Sequence, residues 1–435
     1  MSHRRRRVIA IVGTVVAVVV VLAVIAGIGL AARTSTGSGT TTLSPTIPTT
    51  TNPYAAVEAR TLTGAEQAVN VRLPSAEGAA APVLPARPYT APLGPHQTIG
   101  FVPYYELGAI SSDNLSDFTD LVYFALDVKS NGTLLQSGSP GGWASLVDGG
   151  ASDLVSAGHA SGDRVLLSLF ADSQSVLGAL AAHAKNDGHD LANEVAPLLG
   201  HDGFDGVDLD LEGQDASDRA GFVAFVAAFS SRLQSLDRSW TIMLNTYPQS
   251  AEDTTGFFDV RALAPPVDQI FVMAYDMDST EIPSANAPLD GAALSDVSAL
   301  ASYAAAGLGS KVILGIPFYG YDFPASGPAN GAAVIGSPYA VTYDEIAASI
   351  ADDGHKPLWD PATETPYTVF RRDKMWHQTW FDDPVSVALK TALASQFGVA
   401  GVGVWELGMV AGVPQMISEL AGDSRVVKLP LAVQP

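Results

Sequence analysis

The chain contains no cysteine, which excludes a disulfide framework, a thiol nucleophile and any cysteine-ligated metal. The same absence removes the usual clue to redox compartment. Basic residues are scarce too: 23 Lys and Arg face 45 Asp and Glu, for a formal charge of −22. Sequence-independent binding to a phosphate backbone needs the opposite sign, so no nucleic-acid partner is expected. Strongly anionic substrates are disfavoured for the same reason. No internal repeat divides the sequence. Its 435 residues, 47% of them hydrophobic, suit one large α/β domain with appendages.

The one long apolar run stands at the N-terminus. After "MSHRRRR" the sequence is uncharged from Val8 to about Ala32, long enough to cross a bilayer at ~1.5 Å per residue. Residues 1–7 are therefore expected as a cytoplasmic basic tail and 8–32 as a single-pass transmembrane anchor, with the remainder extracytoplasmic. A cleaved signal peptide is the alternative, giving a secreted protein. Its apolar core would be about twice the usual ~7–15 residues. Residues 33–97 are rich in Thr, Ser, Pro and Ala ("RTSTGSGTTTLSPTIPTTTNP"). That composition buries too little apolar surface to offset ordering entropy, so a disordered linker is expected.

Short apolar runs then recur: "TIGFVPYY" (98–105), "LVYFALDV" (121–128), "RVLLSLF" (164–170), "FDGVDLDLE" (204–212), "WTIMLNTY" (240–247), "QIFVMAYD" (269–276), "KVILGIPFYG" (311–320) and "VAGVGVWELG" (399–408). Helix-like stretches such as "DRAGFVAFVAAFSSRLQSL" separate them. Eight near-continuously apolar strands alternating with helices predict a closed (β/α)8 TIM barrel over 98–420, with an open doubly wound sheet as the alternative. Strands seven and eight stand about eighty residues apart, which places a small α+β insertion at about 321–385. Residues 421–435 are expected as a tail.

Chemistry concentrates in "FDGVDLDLEG". Asp208, Asp210 and Glu212 alternate with Val207, Leu209 and Leu211, so a strand would present three carboxylates on one face. In a barrel they would stack along the lumen towards the catalytic rim. Like charges this close cannot all ionise cheaply, and a carboxyl that keeps its proton at the open end is what a general acid requires. A structural carboxylate ladder and a divalent-cation site are the other readings of the same pattern. His201 reads as a surface residue of the preceding loop, and Asp205 as a turn former.

Asp205-Gly206-Val207-Asp208-Leu209-Asp210-Leu211-Glu212 resembles the DGxDxDxE signature of glycoside hydrolase family 18, the chitinase-like enzymes. "DQIFVMAYD" resembles the sixth-strand motif of that family, through Met273, Tyr275 and Asp276. "LGIPFYG" resembles its seventh strand and "GVGVWELG" its eighth, with Trp405 as the sugar-binding tryptophan. The resemblance covers about 98–410. It departs at the third strand, where Ser168-Leu169-Phe170-Ala171 replaces the usual Ser-x-Gly-Gly. The insertion and final helix resemble those of compact bacterial spore-germination and cell-wall members.

The resemblance implies a retaining hydrolase of β-1,4-linked N-acetylglucosamine polymers, chitin or peptidoglycan, in which the substrate's 2-acetamido oxygen is the nucleophile. Glu212 would protonate the leaving oxygen. Asp210 would orient the acetamide and share a proton with Asp208, and Tyr275 would hold the acetamide oxygen. Trp405 would floor the subsite, with Met273 and Asp276 beside it. Tyr104 and Tyr319, like Tyr105, Tyr247 and Trp380, could line further subsites or simply pack. No cofactor or metal is implied. A non-catalytic lectin and an inhibitory barrel remain as alternative functions, and the presence of Glu212 disfavours both.

Overall fold

A computed structural model describes residues 96–420, apart from 109–114, 116, 139–140, 353 and 411–413. The expected anchor, nearly all of the linker and the C-terminal tail lie outside the described residues. Among the described residues no helix is long and apolar enough to cross a membrane.

In chain order the strands are β1 (Gln97–Pro103), β2 (Asp120–Asp127), β3 (Arg164–Ala171), β4 (Gly206–Leu211), β5 (Thr241–Thr246), β6 (Gln269–Val272) and β7 (Val312–Pro317). An inserted set follows: β8 (Tyr319–Ala325), β9 (Tyr339–Thr342), β10 (Leu358–Asp360), β11 (Thr365–Arg372) and β12 (Met375–Trp380). Last comes β13 (Gly401–Trp405). Strands β1 to β7 and β13 pair in parallel and close into an eight-stranded barrel. The open-sheet alternative is thereby excluded.

The helices form where the sequence gives them one apolar stripe. Arg219–Leu236 buries Phe222, Phe225, Phe229 and Leu233, a three-and-four spacing that puts four large side chains on one face. Pro384–Phe397, which returns the chain to β13, is delimited by its caps. Asp383 accepts from the amides of Val385 and Ser386, proline opens the first turn, and Gly398 closes the last at φ 64°.

The insertion is a five-stranded antiparallel sheet, ordered β10-β11-β12-β8-β9, with the helix Tyr343–Asp352 between β9 and β10. Its core packs Phe323, Tyr367 and Trp380 with Ala285 of the loop after β6. Two expected strands are shorter than their apolar runs. The sixth ends at Val272, before Asp276 turns left-handed at φ 56°. The seventh ends at Pro317, so Tyr319 belongs to the first strand of the insertion.

Candidate active site

The carboxylate row is built by register. Beside β4, Ser168 of β3 pairs with Asp208 and Phe170 with Asp210, while Met243 of β5 lies opposite Asp208. Alternate side chains of these strands share the lumen. Asp208 is fully buried there, its Oδ2 accepting from Ser168 Oγ at 2.8 Å and from Asn245 Nδ2 at 3.5 Å. Asp210 is nearly as buried, and Glu212, just past the strand end, is partly exposed. Oδ1 of Asp208 and Oδ1 of Asp210 are both buried without a hydrogen-bond partner.

Opposite the carboxylates the lumen is aromatic. Phe101 meets Phe271 edge-on at 5.0 Å, and Trp405 lies 5.6 Å from Phe101 and 4.7 Å from Phe124. Phe124 in turn meets Phe170 at 5.3 Å. Phe170, at the departure from Ser-x-Gly-Gly, thus joins the wall that supports Trp405. Gly403 leaves the space this packing needs, since a Cβ there would fall 2.7 Å from the Phe271 ring.

Carboxylates facing hydrocarbon cannot all carry charge. Burial, reinforced by the charge of Asp210, pushes Asp208 well above the usual carboxylate range. Burial pushes Asp210 up to about 7, with hydrogen bonding from Asn245 opposing it and the charge of Asp172 adding to it. Glu212 is pushed well above its ordinary value by burial and by the charges of Asp210, Asp172 and Asp276. The row therefore holds protons near neutrality, and Glu212 is the member in contact with solvent. Gly213 turns the chain away directly after it, beneath Phe257. A Cβ at that position would lie 2.1 Å from the ring.

The end of β6 supplies the next group. Met273 and Tyr275 are buried at the strand's exit. Tyr275 meets the Tyr319 ring edge-on at 6.1 Å. Asp276 Oδ1 accepts from the hydroxyls of Tyr319 at 2.5 Å and Tyr321 at 2.8 Å. Tyr104 and Tyr105 follow β1 and touch edge-on at 5.2 Å, with Tyr105 substantially exposed. Tyr247 follows β5 and lies edge-on to Phe258 at 5.3 Å, while Trp380, fully buried, packs on Tyr367 at 4.4 Å. Asp205 accepts from the Val165 amide and His159, clipping the start of β4 to β3. Sequence reasoning missed Asp172, Asn245 and Tyr321. The two polar residues Ser168 and Asn245 inside otherwise apolar strands were the available signal for the buried ones.

Among the described residues, no group of three or more His, Asp or Glu side chains is arranged to hold a metal ion. A cavity of about 240 Å³ lies away from the row, between the inserted sheet and the helix Tyr343–Asp352. Its acidic residues are already engaged, Asp322 with His377 and Tyr339, and Glu345 with Thr342.

The model of the glycosyl hydrolases family 18 matches residues 101–409, from within β1 to just beyond Trp405. The chain belongs to this family. Among curated relatives of this family-18 chain, di-N-acetylchitobiase of Mus musculus is 25% identical over 230 residues, 46% of this chain and 60% of that protein. The cortical fragment-lytic enzyme of Bacillus anthracis is 25% identical over 215 residues, 48% of this chain and 47% of that protein. The chain thus spans about half to three fifths of the length of these relatives. Among solved structures, the family GH18 chitinase from Cycas revoluta in complex with allosamidin superposes with a TM-score of 0.65 at 22% identity. That match covers 75% of this chain and 99% of the plant chain, a shared fold.

Proposed function

We propose that this family-18 chain is a retaining glycoside hydrolase cleaving β-1,4 linkages of N-acetylglucosamine-containing polysaccharide by substrate-assisted catalysis. One arrangement carries the reading: a partly exposed carboxyl, Glu212, at the mouth of a buried acidic row, where burial and the neighbouring charges favour its protonated form. Glu212 gives its proton to the leaving glycosidic oxygen and later takes one from the incoming water. Asp210 faces the acetamide nitrogen as positive charge develops there. It shares a proton with Asp208, whose unpartnered buried oxygen, like that of Asp210, calls for one. Tyr275 holds the acetamide oxygen near the anomeric carbon, so attack is intramolecular. Trp405 offers its face to the pyranose, with Met273, Asp276, Tyr104 and Tyr319 around it.

The substrate reading is supported by a relative named as a chitobiase, by another named as a cortical fragment-lytic enzyme, and by family-18 chitinases solved with N-acetylglucosamine oligomers. The barrel is proposed to work outside the cell, tethered through residues 8–32. Incubation of the full chain with chitooligosaccharides, and separately with purified peptidoglycan, tests the function. Release of N-acetylglucosamine-terminated products, read by mass spectrometry, is expected from at least one. Binding without cleavage would favour the lectin.

A further inference from the structure

The inserted sheet meets the catalytic end of the barrel where β8 leaves β7. Strand β8 begins two residues after β7 ends, and its alternation places Tyr319 and Tyr321 on one face. Their rings meet edge-on at 5.8 Å, and Tyr319 meets Tyr275. The three tyrosines form a row from the end of β6 into the insertion. Both insertion hydroxyls donate to the same atom, Asp276 Oδ1. Asn286 locks the junction from the other side. Its Oδ1 accepts the Asp276 amide at 2.7 Å, and its Nδ2 donates to the Tyr319 carbonyl at 3.2 Å.

We propose that Tyr321, supplied by the inserted sheet, is a positioning residue of the active site: with Tyr319 it holds Asp276 by one carboxylate oxygen and leaves the other for the substrate. The proposal deepens the glycosidase reading and rests on it for its catalytic consequence. Two donors on one oxygen fix the carboxylate plane, and they favour its charged form. The other titratable groups around the clamp are acidic or phenolic: Glu212, from the end of β4, faces Asp276, while Tyr275 faces Tyr319 and Asp278 faces Tyr321. No basic side chain forms an ion pair with Asp276 among the described residues. Asp276 is exposed at its side chain's edge, yet the protein crowded around it desolvates the carboxyl and raises it, and the two tyrosine hydroxyls oppose that rise. The insertion is then part of the catalytic unit, and its tyrosines favour the charged form of Asp276, which can accept from a sugar hydroxyl.

The test uses the full chain with its aspartates labelled at the carboxyl carbon. Tyr321→Phe keeps the ring and deletes one donor. NMR titration should show Asp276 taking up its proton at higher pH than in the wild type. On chitooligosaccharide, kcat/KM should fall about tenfold, the order set by one hydrogen bond to a charged group, and its acid limb should move up with the carboxyl. Tyr319→Phe deletes the other donor and should move Asp276 in the same direction. Tyr367→Phe, in the same sheet, should move neither quantity. An Asp276 titration unchanged in Tyr321→Phe would overturn the proposal, whatever Tyr319→Phe does. A shifted titration with an unmoved acid limb would reduce Tyr321 to a structural contact. If the wild type cleaves nothing, the glycosidase reading fails, and the titration still decides the clamp.

Discussion

Ser168 donates to Asp208 Oδ2 over 2.8 Å, where β3 and β4 are in register at the buried end of the carboxylate row. That bond and Asn245 are the protein donors to a fully buried carboxyl, and they do not offset its burial. Asp208, Asp210 and Glu212 all have folded-state values raised above the unfolded ~4. Groups shifted that way contribute stability that is fully present below the unfolded value and is lost as pH rises through the folded one. Their contribution should therefore decline from about pH 4 upward and, for Asp210, be lost as pH passes its value of about 7. Asp210→Asn should flatten this decline while lowering activity. Urea unfolding at several pH values checks it, and an equally steep decline in the variant would count against the buried-proton account.

Glu212→Gln keeps shape and hydrogen bonding and cannot release a proton. General acid catalysis is worth ~10²–10⁴ in rate, so hydrolysis should fall at least about a hundredfold with the fold intact. Near wild-type turnover in a folded variant would remove Glu212 from the mechanism. Chelator should leave the wild-type rate unchanged, and loss of activity in EDTA would favour a cation site.

Asp172 is exposed at the end of β3, and its charge pushes up both Asp210 and Glu212. Asp172→Asn removes that charge, so Glu212 should lose its proton at lower pH. The alkaline limb of kcat against pH should move down, with little change in thermal stability. An unmoved limb would show that solvent screens Asp172 from the row.

The N-terminal reading is testable on intact cells. Protease added outside should cut within residues 33–97 and release the barrel. Protection of the barrel would reverse the orientation, and a mature protein starting near Arg33 would favour cleavage of a signal peptide.

The carboxylate row was legible because a strand has period two, which forces Asp208, Asp210 and Glu212 onto one face whatever surrounds them. The barrel was legible for another reason: strands buried on both faces read as near-continuous apolar runs, and eight of them alternate with helices. Asp172 and Tyr321 were hidden by different causes. Asp172 is a single acid beyond a strand end, and its effect on the row exists only once β3 and β4 are in register. Tyr321 was obscured because "KVILGIPFYG" reads as one strand, although the chain changes sheet at Phe318. Trp380 shows the converse: an aromatic that suits a sugar site by type is buried in the core of the insertion.

The central claim is that the substrate supplies the nucleophile. Asp208, Asp210 and Glu212 lie along β4 and at its exit, and Tyr275 follows β6, directly before Asp276, whose charge reaches Glu212. Attack by the acetamide oxygen on the face opposite the leaving group, followed by water on the first face, restores the starting configuration. NMR of the anomeric proton during early turnover of a chitooligosaccharide measures this directly. The account predicts β product first, relaxing to the α/β mixture by mutarotation. An initially α product would mean direct displacement by water and would contradict it.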